Sequence, residues 1–595
     1  LKGKTAVKEI EIRGLPVSLG IESGPAYVLQ EKGYHFPLTR IEVSEIDRQI
    51  DRLEDAWDRT IRQIEETRRD RTSGERQLLD DIIDIHAMLA KDIPKHTRAQ
   101  TVDLIRNERM CAETAFHFSL QDLIRKLGQS PLQRGEDVAD IGYQVIRNLV
   151  GMEMAQFDDI EEPIILIAED LSPSLTARLP REKVLAFATT RGSRTSHTAI
   201  MARALEIPAV VGLPSLLDQI SDRAPVIVDG DRGRVVVNPS RATIEVYRKR
   251  REEAERRADE QMRYKDLEAE TLDGFTIRLA ANIELPEEVD AVIAHGGRGI
   301  GLYRTEFLFL NRADLPTEEE QYLAYSAVAK ALAPMRVTLR TLDIGGDKFL
   351  TSINAPEEIN PFMGWRGIRF CLEEPEIFGT QLRSILRASH HGNLAVMFPM
   401  ISEIRELKLA LAALEKAKAD LKARGIPYNK NLEIGAMIEV PSAALMMKGL
   451  APLVDFFSIG TNDLIQYTMA VDRGNERTSS LYNPLNPGVL RLIQEVVDAA
   501  HAVGKRVCMC GEMAGELGFT LFLLGMFVDE LSMSPIALPE VKRLIRSVSL
   551  VDAVEVARRT LEMTDPDEIR HYLNEQTSRM APWTEDFISR DEARA

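Results

Sequence analysis

Cysteine is scarce. There are four in 595 residues, at positions 111, 371, 508 and 510, which excludes the disulfide framework of a small secreted domain. Long apolar runs are missing as well: no stretch reaches the ~18 residues of a membrane span, and no signal peptide is legible. Positive charge is in deficit. The formal net charge of -18 argues against nucleic-acid binding and is compatible with a basic protein partner. These absences predict a cytoplasmic protein with no membrane insertion. The chain opens on Leu1 rather than Met, so the reading leaves room for a segment ahead of it.

What is present is a globular composition, 44% hydrophobic and 28% charged, with room for about two to four domains. One stretch organises the rest: Gly192-Ser193-Arg194-Thr195-Ser196-His197-Thr198-Ala199-Ile200-Met201-Ala202-Arg203. It begins small and polar, then turns apolar at helical spacing, with Ile200, Met201, Ala204 and Leu205 on one face. Thr195 and Ser196 are good N-cap residues. His197 then falls in the first turn, where unpaired N–H groups and the positive dipole end favour an anion. An imidazole there is a candidate carrier of a phosphoryl group. A capped surface helix with an incidental histidine gives the same local pattern.

Upstream, residues 8–29 break short apolar runs with glycine and proline and are expected to form β structure. From about residue 40 to 150 the pattern becomes helical. Ile41, Ile46, Ile50, Leu53, Trp57, Ile61 and Ile64 recur at three- to five-residue intervals between charges. A second helix through Leu78, Ile82, Ile83, Ile85, Met88 and Leu89 is expected to end before Pro94, with others over 99–127 and 137–150. A helical bundle inserted into a β-rich domain accounts for this order. Short strands return at 163–168, 184–189, 225–229 and 234–237, around the His197 helix. Residues 241–270 are strongly charged, free of Gly and Pro, and read as one exposed helix joining two bodies.

Eight strand-like runs follow, at 275–282, 299–303, 336–342, 394–398, 432–438, 454–459, 506–509 and 530–533. Helical stretches such as 318–333, 375–390, 402–424, 443–450 and 487–503 separate most of them. Eight strand–helix units predict a (β/α)8 barrel, whose chemistry belongs at the C-terminal strand ends. Those ends are polar: Tyr303-Arg304-Thr305-Glu306, Arg340-Thr341-Leu342-Asp343-Ile344-Gly345-Gly346-Asp347-Lys348, Ile438-Glu439-Val440-Pro441, Ser458-Ile459-Gly460-Thr461-Asn462-Asp463 and Met509-Cys510-Gly511-Glu512. Each alone reads equally as a structural ion pair or a barrel-layer residue; five on one face point to a site.

Guanidinium groups grip small polyanions as planar forks. Arg304 and Arg340 are the first candidates, followed by Arg473 in Val471-Asp472-Arg473-Gly474-Asn475, Arg366 in Gly364-Trp365-Arg366, and Lys348. Glu439 and Asp463 offer hard oxygen ligands; two carboxylates completed by substrate oxygens and water describe a magnesium site. The Cys508-Met509-Cys510 run lacks the further ligands of a zinc site. Strand alternation points both cysteines the same way and leaves metal binding and acid chemistry open.

The block around His197, continued by Ile207-Pro208-Ala209-Val210-Val211-Gly212, resembles the phosphohistidine motif of the phosphoenolpyruvate-utilising enzymes, nearest among them the Enzyme I family of the bacterial phosphotransferase system. That family carries Gly-Gly-Arg-Thr-Ser-His; here Ser193 replaces the second glycine, a departure that matters where φ must be positive. The strand ends match its Leu-x-Arg-Thr-Glu-Phe, Arg-Thr-x-Asp-Ile-Gly-Gly-Asp-Lys, Met-x-Glu-x-Pro, Gly-Thr-Asn-Asp-Leu-x-Gln-Tyr and Met-Cys-Gly-Glu motifs, and the resemblance covers nearly the whole chain.

The resemblance implies transfer of the phosphoenolpyruvate phosphoryl group through phospho-His197 to a histidine of the phosphocarrier HPr. Pyruvate is released, in the first step of a sugar phosphotransferase system. It implies substrate held by Arg304, Arg340, Arg366, Lys348, Arg473, Asn462 and Asp463, and Mg2+ held by Glu439 and Asp463. It further implies protonation of enolpyruvate by the Cys510 thiol, a hydrogen bond from Thr176 to His197, and a homodimer through the barrel. The expected architecture is multidomain α/β. A swivelling β/α phosphohistidine domain spans 1–35 and 152–240, an inserted α-helical HPr-binding bundle 36–151, a linker helix 241–270, and a C-terminal TIM barrel 271–595. His86, Asp80, Asp81 and Asp84 are candidates for the docking face, and equally for a solvated helix face. Two other readings share the histidine domain and barrel. Phosphoenolpyruvate synthase or pyruvate phosphate dikinase would need an ATP-grasp domain, which nothing before residue 150 resembles. A regulatory phosphorelay of the nitrogen-related branch usually carries an N-terminal GAF domain.

Overall fold

The computed structural model describes residues 9–18, 20–29, 40–69, 77–128, 135–151, 160, 162–171, 175, 180, 182–192, 202, 207–309, 315–344, 360, 363–472, 475 and 478–585. The chain divides into two units, Leu1–Arg257 and Ala258–Ala595.

In the first unit the strands are β1 (Ile10–Arg13), β2 (Leu15–Ser18), β3 (Ile21–Leu29), β4 (Ile164–Ala168), β5 (Val184–Thr189), β6 (Ala209–Val211), β7 (Pro225–Asp229) and β8 (Arg234–Val237). They form one sheet in the order β1-β8-β7-β3-β4-β5-β6-β2. The central β4, Ile-Ile-Leu-Ile-Ala, is buried at every residue, as a strand covered on both faces must be. Its neighbours β3 and β5 run parallel to it, with Ala26 opposite Ile165 and Ile165 opposite Ala186.

Between β3 and β4 the described residues form four α-helices: α1 (Ile46–Arg69), α2 (Gln77–Asn107), α3 (Ala112–Gly128) and α4 (Gly135–Val150). Their shared core centres on Trp57, whose ring meets Phe116 edge-on at 5.3 Å. Two expectations are corrected here. The second helix does not end before Pro94 but runs through it to Asn107. The proline removes one backbone hydrogen bond, at a cost of about 3 kcal/mol. Leu89, Ala90, Ile93, Thr97, Thr101 and Ile105 are nevertheless buried along one face on both sides of it. At about 1.5–3 kcal/mol per large apolar side chain, that burial wins. The helix expected over 99–127 is instead broken between Asn107 and Ala112. Arg109 turns the chain with a left-handed φ of 57°, and neither Gly nor Pro marks the break.

The charged stretch forms helix α5 (Arg241–Met262) and stops there rather than at 270. Glu270 already pairs with Thr276 as an antiparallel bridge. The Glu9 carboxylate accepts from Ser240 N and Thr243 Oγ1 at the start of α5.

In the second unit, β9 (Arg278–Ile283), β10 (Ile300–Arg304), β11 (Val337–Arg340), β12 (Leu394–Phe398), β13 (Glu433–Ile438), β14 (Phe456–Ile459), β15 (Arg506–Met509) and β16 (Glu530–Met533) close into a parallel barrel. The core lies between this barrel and its surrounding helices. A smaller apolar group, including Leu302, Met397, Met437, Phe456, Cys508 and Cys510, forms a separate buried cluster of strand and strand-end residues. The helix Leu517–Gly525 is apolar on nearly all sides and buried at every residue but Gly518. It packs against the helices Leu550–Glu562 and Pro566–Met580, as an all-round apolar helix requires.

Candidate active site

Parallel strands all deliver their last residues to one end of the barrel, so short sequence segments far apart in the chain meet there. Arg340 closes β11 and is held on two sides. Its Nη2 donates to Glu306 Oε1 at 3.0 Å, and Nη1 lies 3.1 Å from Asp343 Oδ2. Its Nε is buried and makes no hydrogen bond. Glu306 Oε1 also accepts from Asp343 N at 2.9 Å, so one carboxylate fixes both the arginine and the loop that follows it.

Arg366 reaches the same place. It donates to Asp343 through Nε and Nη2, contacts Asp463 Oδ2 at 3.3 Å, and donates to Tyr467 OH at 3.3 Å. Asp343, Glu439 and Asp463 are buried, with ligand oxygens all within 4.8 Å of one another. Two glycines make room for them. A Cβ on Gly460 would stand 2.9 Å from Glu439 Oε2, and one on Gly367, where φ is +59°, 2.9 Å from Asp343 Oδ1. Met400 takes a left-handed φ of 55° and its N–H donates to Glu439 Oε1 at 2.5 Å.

Burial, followed by the like charges of Asp343 and Asp463, pushes the Glu439 carboxyl up to about 8. Three crowded hard-oxygen donors, one of them reluctant to ionise alone, fit a divalent cation.

Beside this cluster is a pocket whose lining includes Asn282, Glu284, Arg304, Cys510, Glu512 and Met533. Arg304 is paired to Glu284 at 2.6 Å and remains 37% exposed. The Cys510 thiol is buried. Ser458 Oγ donates to its sulfur at 3.3 Å, and the thiol donates to Ile459 O at 3.7 Å. Burial pushes it up to about 11, the Ser458 hydroxyl and Arg340 opposing, so it stays protonated at neutral pH. Asn462 is engaged reciprocally with Glu512: Nδ2 donates to Oε1 at 3.0 Å, and Oδ1 accepts from Glu512 N at 2.9 Å.

The structure therefore draws Arg340, Arg366, Glu439 and Asp463 into one cluster and places Arg304 and Cys510 on the neighbouring pocket. Sequence reasoning missed Asp343 as a third carboxylate, Glu306 as the anchor of Arg340, and Tyr467. All three stood inside the motifs quoted above; for the first two the signal was their place beside an arginine at a strand end. His197, Thr176, Lys348 and Arg473 lie outside the described residues, as do the side chains of Asp80, Asp81, Asp84 and His86.

Three family models match the chain in order: the N-terminal part of phosphoenolpyruvate-utilising enzymes over residues 13–132, their mobile domain over 160–233, and their phosphoenolpyruvate-binding domain over 258–550. A phosphoenolpyruvate-protein phosphotransferase of Haemophilus influenzae is 42% identical over 95% of this chain and 98% of its own length. One of Staphylococcus carnosus is 41% identical over 95% of this chain and 99% of its own. A solution structure described as Enzyme I is 35% identical and covers 41% of this chain and 99% of that one, with a TM-score of 0.37. By sequence, the chain belongs to the phosphoenolpyruvate-protein phosphotransferases, enzymes of the phosphotransferase system that take a phosphoryl group from phosphoenolpyruvate.

Proposed function

We propose that phosphoenolpyruvate binds at the C-terminal mouth of the barrel, that His197 takes its phosphoryl group, and that a histidine of an HPr-type carrier receives it next. The observation that carries this reading is the meeting of Arg304, Arg340, Arg366, three carboxylates and the Cys510 thiol at one end of the barrel.

The substrate is a small polyanion with a carboxylate and a phosphate. Arg304, Arg340 and Arg366 fork onto these oxygens, with Lys348, Arg473 and Asn462 adding donors. Asp343, Glu439 and Asp463 would hold Mg2+, which would supply positive charge to offset that of the transferring group. The His197 domain swings to the mouth, Thr176 setting which ring nitrogen is free. A P–N bond forms as the P–O bond to the enol breaks. The enolate then takes the Cys510 proton at C3, the S–H electron pair stays on sulfur, and pyruvate leaves. Domain closure and release set the turnover rate. The carrier docks on the helical bundle, and the protein works as a cytoplasmic homodimer through its barrel.

Incubation with labelled phosphoenolpyruvate and Mg2+ should place an acid-labile, base-stable label on the protein. Label that persists in His197→Ala overturns the mechanism. Offering sugar-type and nitrogen-type HPr to the labelled protein then identifies the carrier.

A further inference from the structure

The interior of a (β/α)8 barrel is normally filled by bulky branched side chains. Ser458, fully buried in β14, departs from that rule. Its neighbours across the sheet are Met437 on β13 and Cys508 on β15. A hydroxyl shut away from water costs free energy unless it is hydrogen-bonded, and this one donates to Cys510 Sγ at 3.3 Å. The cysteine is held on its other sides too. Its N–H donates to Ile459 O at 3.1 Å, its S–H leans on the same carbonyl, and its own carbonyl accepts from Asn282 Nδ2 at 3.0 Å. Asn282 is oriented in turn by Ser532 Oγ, 2.6 Å from its Oδ1.

We propose that Ser458 is a positioning residue for the proton-transfer half of the reaction, aiming the Cys510 S–H and holding the thiolate that remains after C3 of the enolate is protonated. This rests on the reading of Cys510 as the proton donor. When the S–H bond breaks and the C3–H bond forms, the electron pair stays on sulfur. The O–H···S contact then becomes charge-assisted, and such bonds are roughly twice as strong as neutral ones. The interaction therefore strengthens along the reaction rather than in the bound ground state, which is the condition for raising the rate instead of tightening binding. In the reverse direction the same hydroxyl favours the thiolate that removes a proton from the pyruvate methyl group.

That reverse step gives the test. The full-length protein with Mg2+ and pyruvate in D2O is followed by NMR for exchange of the methyl protons. The expectation for Ser458→Ala is an exchange rate lowered by about tenfold, the size of one catalytic hydrogen bond, with half-saturation by pyruvate unchanged within twofold. Ser458→Thr keeps the hydroxyl and should recover the rate to within about threefold. Equal losses in the Ala and Thr variants would mean that the serine only fills space, and the inference falls. Wild-type exchange in Ser458→Ala, with Cys510→Ala silent, overturns the inference but leaves the proton-donor reading intact. Wild-type exchange in Cys510→Ala removes that reading and this inference together.

Discussion

Arg366 holds Asp343 with one edge of its guanidinium, Nε donating to Oδ1 at 3.1 Å and Nη2 to Oδ2 at 2.8 Å. The same Nη2 lies 3.3 Å from Asp463 Oδ2. One planar cation thus bridges two of the three clustered carboxylates. An ammonium is a point charge and cannot fork one carboxylate while contacting the other. Arg366→Lys is expected to raise KM for phosphoenolpyruvate about tenfold, measured by steady-state kinetics at saturating Mg2+; an unchanged KM would show that the fork is dispensable.

Glu439 is buried, crowded by Asp343 and Asp463, and reluctant to ionise. Replacing it with Gln removes the cost of burying an ionisable carboxyl while taking away an anionic cation ligand. Glu439→Gln should be more stable than the parent in metal-free buffer by about 1 kcal/mol. It should lose the rise in melting temperature that Mg2+ gives the parent. Thermal scans with and without the ion read both effects, and a variant that Mg2+ still stabilises fully would exclude Glu439 as a ligand.

Glu318 opens the helix Glu318–Leu332 and accepts from Arg383, Arg387 and Arg424 at 2.8–3.1 Å, tying together the helices Pro375–Ala388 and Ile404–Ala423. Burial alone would raise its pKa, but the three arginines outweigh that and hold it at about 2 against an ordinary 4.5. Between those values the unfolded chain binds more protons, so stability falls as pH drops. Glu318→Gln should cost on the order of 2 kcal/mol at pH 7. The difference from the parent should narrow below pH 4.5, read by denaturant titration at pH 7 and 3.5. A gap of equal size at both would assign the cost to shape rather than charge.

Cys510→Ala should lower kcat by about a hundredfold or more, the range of a lost general acid, with KM for phosphoenolpyruvate within about threefold. Equal losses in both would remove the proton-donor role.

The barrel was legible because buried parallel strands read as short continuous apolar runs, and eight of them alternate with helical stretches. Leu394–Phe398, Arg506–Met509 and Glu530–Met533 match the expected limits residue for residue. The helical bundle was legible in kind but not in its breaks. Pro94 looks like a terminator until the buried face running past it is known, and Arg109 turns the chain without a glycine. In the cluster, Glu439 and Asp463 could be chosen from the sequence as oxygen donors. Asp343 could not be separated from its neighbour Asp347 by residue type. What distinguishes it is three-dimensional: two arginines pointing at it and a glycine whose missing side chain leaves it space.

The sheet of the first unit has a consequence for how the chain is made. β1 pairs with β8, Ile10 opposite Val237, and β3 lies against β4 across the whole bundle insertion. On the ribosome the edge strand must therefore wait, unpaired, until residue 237 has emerged. The four helices, whose contacts are local, form well before that. The bundle also serves as the crossover that two parallel neighbours need, so excising it calls for a spacer of a dozen or so residues rather than a tight turn.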